Sequence, residues 1–346
     1  KLRILKEEKT MNKWFNQNGY LDDIVLSTRI RLARNLKNIV FPSRMTSDDS
    51  KKVLNEVSEA VKKFNYPLSP VYLDKISPVE RQCLVEEHLI SPNMNGKENQ
   101  ALFLSEDGNI SIMVNEEDHI RLQCIFAGYE TDKAFDLVNK VDDCLADNLE
   151  YAFSPNYGYL TSCLTNLGTG MRVSYMVHIP ALCLSGMADK MFSVVSKLGV
   201  AVRGIYGEGS KSSGHIFQIS NQVTLGLDER EIIKKMTDVI DKIIAQEREL
   251  RNKLFKENRI LVEDKIMRSY AIMKYAKTIS SKELSDALSY VRLGISQDLI
   301  AGLDAKTVNA LLIEARPAHI VKEAGKDLSP EERDIKRAQT VNNILA

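Results

Sequence analysis

Residues 24 to 32 read Ile-Val-Leu-Ser-Thr-Arg-Ile-Arg-Leu, a run whose side chains alternate between two faces. Val25, Ser27, Arg29 and Arg31 fall on one face and Ile24, Leu26, Ile30 and Leu32 on the other, the period of two that marks a strand. This strand carries two arginines side by side. Working outward, residues 101 to 115 (ALFLSEDGNISIMVN) form two apolar runs around Asp107-Gly108, and the alternation of Ile110, Ile112 and Val114 predicts a hairpin that leads into NEEDH. Further strands are expected at 172 to 179, near 200 to 206 and at 215 to 221. Helices are expected over 47 to 64, where Val53, Val57, Val61 and Phe64 recur at helical spacing, and over 77 to 90, which opens with Ser77, Pro78 and Glu80 as a capping box. Others follow at about 131 to 149 and 187 to 198. Because strands and helices mix without strict alternation, an α+β domain with a largely antiparallel sheet is the expected class.

After Asp228 the character changes. No proline or glycine occurs from there to about Ala276, and apolar residues recur at three and four, which predicts one long helix leaving the first domain and opening an all-helical second one. Shorter helices are expected at about 280 to 292, 304 to 315 and 328 to 345. The expected organisation is an N-terminal extension over 1 to 20, an α+β domain over 21 to 228 and a helical domain over 229 to 346. A chain of 346 residues has room for two cores, since single cores stop growing at roughly 250 to 300 residues.

Lys+Arg and Asp+Glu number 47 each, so the chain lacks the basic excess of a nucleic-acid coat and the acidic excess of a disordered tail. Any charge-driven function is local, and neither nucleic acid nor membrane is an expected partner. No apolar run approaches the about 18 residues of a membrane helix. Cys83, Cys124, Cys144, Cys163 and Cys183 are odd in number and free of CxxC pairs, which argues against a disulfide framework and a zinc site and for a reducing cytoplasm. Residues 1 to 10 lack the apolar core of a secretory signal, and Met11 is a candidate start.

Two phosphate-loop look-alikes fail on context. The segment 204 to 211 (GIYGEGSK) nearly spells a P-loop, but an extra residue separates the second glycine from the lysine and a strand pattern follows. Gly168-Thr-Gly170 opens like a dinucleotide fingerprint, yet Val173 stands where its third glycine belongs. What remains is arginines and carboxylates at strand ends: Arg29 and Arg31, then Glu117, His119 and Arg121 sharing a parity in NEEDHIR, then Arg172 after NLGTG, then Arg203 and Glu208 bracketing RGIYGE. Arginine forks suit polyphosphate oxygens, and glycines let backbone N–H groups approach them. Each piece alone has a plain explanation as a solvated face or a packed residue; the combination describes a triphosphate site without a P-loop.

STRIRLAR at 27 to 34, NEEDHIR at 115 to 121, CLTNLGTGMR at 163 to 172 and RGIYGE at 203 to 208 occur in the order and approximate spacing of the phosphagen (guanidino) kinases, and the chain resembles their bacterial protein-arginine-kinase branch, the McsB type. The resemblance implies an ATP site made of Ser27, Thr28, Arg29, Ile30, Arg31, His88, Arg121, Arg172, Val173, Ser174, Tyr175, Met176, Arg203, Gly204, Ile205, Tyr206, Gly207 and Glu208, with Mg²⁺ carried on the nucleotide and no dedicated metal site. It makes Glu117 the catalytic carboxylate, Glu208 its partner on a mobile loop, and Cys163 the cysteine beside the substrate guanidinium. Gly204 to Gly214, with four glycines, reads as a lid. Two positions depart from the family pattern: Leu164, where a proline is common, and Val173, where a smaller residue often follows the arginine.

Phosphagen kinases of small guanidines resemble one another in an N-terminal helical domain of about a hundred residues, whereas Arg29 here lies 28 residues from the start. That spacing favours a macromolecular substrate. Arg333, Asp334, Ile335, Lys336, Arg337 and Ala338 resemble the RDxxRA motif that in the McsB branch forms an allosteric phosphoarginine pocket; Arg333 and Arg337, four apart, are expected to clamp a phosphoryl group beside Asp334. The resemblance further implies a homodimer, a role in marking proteins for the ClpC/ClpP machinery, and the activator McsA and repressor CtsR as partners. A kinase of a free guanidino compound and a non-catalytic phosphoarginine-binding adaptor stay open as alternatives.

Overall fold

The computed structural model describes residues 13–205 and 213–345. Strands β1 (Val25–Arg34), β2 (Leu68–Tyr72), β3 (Ala101–Ser105), β4 (Ile110–Val114) and β5 (Ile120–Ala127) are interleaved with helices α1 (Ser47–Val61) and α2 (Pro78–Glu86). Helix α3 (Thr131–Ala146) and a short hairpin of β6 (Phe153–Ser154) and β7 (Gly158–Tyr159) lead to β8 (Met171–His178). Helices α4 (Pro180–Leu184) and α5 (Ala188–Lys197) precede β9 (Val200–Gly204) and β10 (Ile216–Asn221). Eight of these strands form one antiparallel sheet in the order β2-β3-β4-β5-β1-β8-β10-β9. The capping signals work as read: Ser77 and Glu80 close a reciprocal box at α2, with Pro78 at its first position.

One face of the sheet is buried under α1, α3, α5 and α6 (Glu229–Glu257), whose Val53, Val57, Val138, Val141, Phe192, Met236 and Ile240 pack on Ile30, Leu32, Val173 and Val177. The expected domain boundary at 229 thus coincides with the start of a helix whose apolar stripe lies in the core of the sheet. The expected single helix to residue 276 is instead two, α6 and α7 (Arg259–Tyr275). Asn258, at φ −132° and ψ 30°, leaves the helical range between them. Buried residues recur at three and four on both sides of the break, so that spacing does not reveal it.

Helices α7, α8 (Ser281–Ile295), α9 (Ala305–Glu314), α10 (Pro317–Ala324) and α11 (Pro330–Leu345) build the second core. That core reaches the other face of the sheet, where Leu26, Ile125, Met176 and Ile216 pack with Trp14, Phe15, Leu288 and Leu311. Leu26 corrects the strand reading: the pairing of β1 with β8 shifts register between Val25 and Ser27, and this bulge turns Leu26 away from Ile24 and Ile30. Helix α10, β2 and β5 have no counterpart in the sequence reading. Among the described residues no helix is long and apolar enough to cross a membrane.

Candidate active site

Five adjacent strands lay a row of cations across the sheet face that the helical core only partly covers. Arg31 on β1 lies directly opposite Arg172 on β8 and Gln123 on β5, Arg29 opposite Ser174, and Arg203 on β9 opposite Gln218 on β10. Period-two alternation then places Arg121 on the same face, two residues from Gln123. Arg29, Arg31, Arg121, Arg172 and Arg203 line one cleft of about 280 Å³, together with His88 and a sixth arginine, Arg316, from the helical unit. Like charges directly opposite one another destabilise a sheet, so this face is built for something other than its own stability.

The electrostatics agree. Burial lowers Arg29 to about 10, with Arg121 and Arg172 adding to the effect. Burial likewise holds Arg31 well below its ordinary value, followed by the fields of Arg29, Arg121 and Arg172. Arg172 is lowered by burial, then by Arg203 and Arg121. His88 falls to about 3, through burial first and then Arg29 and Arg316, and is neutral at pH 7. Arg172 Nε and His88 Nε2 are buried without a hydrogen-bond partner in the described structure. A polyphosphate fits this set: its oxygens accept from the guanidinium forks and its charge relieves the mutual repulsion.

A small recess behind the cleft is lined by Ser27, Arg29, His88, Ser174 and Met176, and Arg29 Nε donates to Ser174 Oγ at 3.3 Å. Thr28, Ile30, Val173 and Tyr175 belong to the nucleotide residues implied by resemblance, but their side chains face the opposite side of the sheet. Ile30, Val173 and Tyr175 are core residues, and the Thr28 hydroxyl donates to Gly128 O. Gly204 ends β9, and Ile205 lies at the cleft rim with its N–H donating to Ile216 O. Tyr206, Gly207 and Glu208, and with them most of the expected lid, lie outside the described residues.

At one end of the cleft Arg121 meets carboxylates. Its Nη2 donates to Glu117 Oε2 at 3.1 Å, and its Nη1 lies 2.9 Å from Glu116 Oε2. Glu116 is buried and accepts from Ser91 Oγ, whereas Glu117 is 39% exposed at its side chain and lines an open cavity of about 650 Å³ with Glu116 and Asn115. Asp118 is the splice: its Oδ1 accepts from Asn35 Nδ2 and from Ser162 N, both at 2.7 Å, tying NEEDH to the segment that carries Cys163. Cys163 Sγ lies 3.0 Å from Thr165 Oγ1. The charges of Glu117 and Cys163 both raise the Arg172 pKa against its burial. His119 is structural. Its Nδ1 accepts from Leu36 N and its Nε2 meets Val40 O, and burial lowers its pKa. A cation-lined cleft ending at a half-exposed carboxylate is the arrangement that a phosphoryl transfer to a cationic acceptor needs.

Residues 48–250, more than half of the chain, match the family of the ATP:guanido phosphotransferase C-terminal catalytic domain. The chain belongs to the ATP:guanido phosphotransferase family. Residues 259–346 match the Protein-arginine kinase McsB C-terminal domain. The chain is similar to the Protein-arginine kinase of Pelotomaculum thermopropionicum, 44% identical over 339 residues that cover 96% of this chain and 95% of that one. It is likewise similar to the Protein-arginine kinase of Bacillus subtilis, 40% identical with 98% and 94% covered. Among solved structures it resembles the duplicated taurocyamine kinase of Schistosoma mansoni, with a TM-score of 0.61 and 27% identity, covering 67% of this chain and about a third (34%) of that one. Lombricine kinase, at a TM-score of 0.60 and 24% identity, covers 68% of this chain and 69% of its own and shares the fold. Membership makes the protein an ATP-dependent phosphotransferase.

Two features of this guanido phosphotransferase differ from their sequence reading. Gly168 and Gly170, read as phosphate-approach positions, serve chain packing. A Cβ on Gly168 (φ +106°) would stand 2.4 Å from Thr224 O, and one on Gly170 (φ +65°) 2.6 Å from Ala33 O. On α11, the expected clamp of Arg333 with Arg337 is not formed. Arg337 is buried, with Nε donating to Ala315 O at 2.8 Å and Nη1 to Ile279 O at 2.9 Å, and it pairs with Asp334. Ala338 is core, Lys336 pairs with Glu323, Ile335 is exposed, and Arg333 is half-buried. Three site residues escaped the sequence reading. Glu116 and Asp118 share NEEDH with Glu117, and that adjacency is their signal; Arg316 carries none, because only tertiary packing brings it to the sheet.

Proposed function

We propose that this enzyme transfers the γ-phosphoryl group of ATP to the guanidinium of arginine side chains in proteins. The observation that carries the reading is the arginine cleft ending at Glu117, whose half-exposed side chain lines an open cavity of about 650 Å³. The relatives named Protein-arginine kinase, matched along nearly their whole length, support it. Arg29, Arg31, Arg121, Arg172 and Arg203 hold the phosphates, with magnesium on the phosphate oxygens supplying further charge neutralisation. Glu117 orients the acceptor guanidinium and takes the proton its nitrogen loses. As the N–P bond forms, the bond from the γ-phosphorus to the bridging oxygen breaks and ADP leaves with the electron pair. Glu208 is the second carboxylate by resemblance. Cys163, on the segment tied to NEEDH through Asp118, is the cysteine of the guanidine side by resemblance. The product marks proteins for Clp-dependent degradation in the cytoplasm, with an activator of the McsA kind and ClpC/ClpP as partners.

The test incubates the protein with Mg-ATP and either an unfolded arginine-containing protein or free arginine, and follows acid-labile N–P phosphate by ³¹P NMR. Label on protein arginine is the expected result. Label on free arginine alone overturns the substrate class, and label on neither, with and without an activator of the McsA kind, overturns the activity.

A further inference from the structure

We propose that Arg316, supplied by the helical unit, is a nucleotide-binding residue, set in the cleft by a clasp between α2 and α10. The inference rests on the ATP reading of the cleft and extends it to a part of the chain outside the catalytic-domain match.

Arg316 lines the same cleft as the five sheet arginines and acts on the pKa of His88, so its guanidinium lies within the field of the cleft. Its backbone is extended (φ −75°, ψ 160°) at the start of α10, with Pro317 fixing the first helical position. The two residues before His88 hold that helix. Glu86 accepts from Ala318 N at 3.2 Å, from His319 N at 3.4 Å and lies 2.9 Å from His319 Nδ1. Glu87 Oε1 lies 3.1 Å from His319 Nε2 and 2.6 Å from Lys13 Nζ. Glu86 and His319 are buried or nearly so, which fixes the geometry. One segment, 86 to 88, thereby sets both the cleft histidine and the helix that delivers Arg316.

The position within the cleft assigns its role. Glu117 lines the open cavity, which neither Arg316 nor His88 reaches, whereas Arg316 and His88 line the arginine cleft together. Arg316 is thus on the His88 side of the cleft rather than in the cavity of Glu117, and there it would meet the part of the nucleotide that ATP and ADP share. It governs nucleotide affinity rather than the transfer step.

The test uses the full chain as wild type, Arg316→Gln and Arg316→Lys, measuring Mg-ATP and Mg-ADP affinity calorimetrically, KM for ATP, kcat and the melting temperature without nucleotide. Arg316→Gln is expected to weaken ATP and ADP alike by at least about tenfold, the scale of one charge-assisted hydrogen bond, with kcat at saturation within about twofold. Arg316→Lys recovers part of the affinity. Disrupting the clasp with Glu86→Gln should weaken binding in the same direction. Wild-type affinity in Arg316→Gln overturns the proposal while leaving the kinase reading intact. So does a loss of affinity matched by a fall in the nucleotide-free melting temperature, which marks a structural role. Wild-type protein that binds neither nucleotide overturns the kinase reading and this proposal with it.

Discussion

Glu117 and Arg121 are four residues apart, yet one faces an open cavity and the other the arginine cleft, so a single ion pair stands between the two. Glu117→Gln keeps the size and loses the base. Its kcat should fall at least about a hundredfold, while Mg-ATP affinity, measured calorimetrically, stays within a few-fold of wild type. Retained turnover would remove Glu117 from the mechanism. At this scale much was legible. Arg29 and Arg31 declare themselves by parity on an alternating strand, and Arg172 and Arg203 by their positions beside glycine-rich segments. Thr28, Ile30, Val173 and Tyr175 were not separable from them by motif alone; the alternation of side chains on a two-sided sheet sends them into the apolar core.

Helix α6 shows what an element contributes beyond its apolar stripe. Glu247 is fully buried, and its carboxylate accepts from Ala181 N at 3.1 Å and Leu182 N at 2.9 Å, the open N–H groups at the start of α4. Arg251 Nε binds the same carboxylate at 2.7 Å and reaches Asp23 O and His178 O through Nη2. Burial pushes the Glu247 carboxyl up, and Arg251 is the strongest influence against it. Glu247→Ala takes the buried carboxylate from Arg251, whose remaining ion pair is the longer one to Asp23 at 3.4 Å, and strands two N–H groups at once. We expect a loss of about 3–5 kcal/mol, read as a lower urea midpoint at unchanged slope. A cost below about 1 kcal/mol would show that the network is replaced by water. From sequence the segment reads only as charged helix, because Glu and Arg at i and i+4 are ordinarily a solvated pair.

Across the molecule the five histidines divide into four and one. Burial lowers His119, His178 and His215, and lowers His88 to about 3. Burial favours the neutral ring in the fold, and these rings take up protons more readily once unfolded, so stability should fall as pH drops through the unfolded value of about 6.5. His319 runs the other way. Burial, the largest single influence, lowers it, but Cys83, Glu86 and Glu87 together outweigh burial and raise it to about 11. Its stabilisation is complete below about 6.5 and is lost progressively as pH rises toward about 11. The melting temperature should therefore fall from about pH 7 to about pH 5, and also decline from about pH 7.5 to about pH 10. His319→Gln should flatten the alkaline branch and spare the acid one; an unaltered alkaline slope would mean that the clasp does not hold the two units together.

The sequence by itself determined six of the eight strands of the main sheet, the starts of most helices, and the sheet arginines and glutamate of the site, because periodicity, capping and charge are local properties that neighbouring residues express wherever they are placed. The break at Asn258, the bulge that turns Leu26, the burial of Arg337 and the delivery of Arg316 to the cleft were decided by tertiary structure alone. Each depends on which distant surface a residue meets, and that is set by how two cores pack on opposite faces of one sheet rather than by the spacing of residues along the chain.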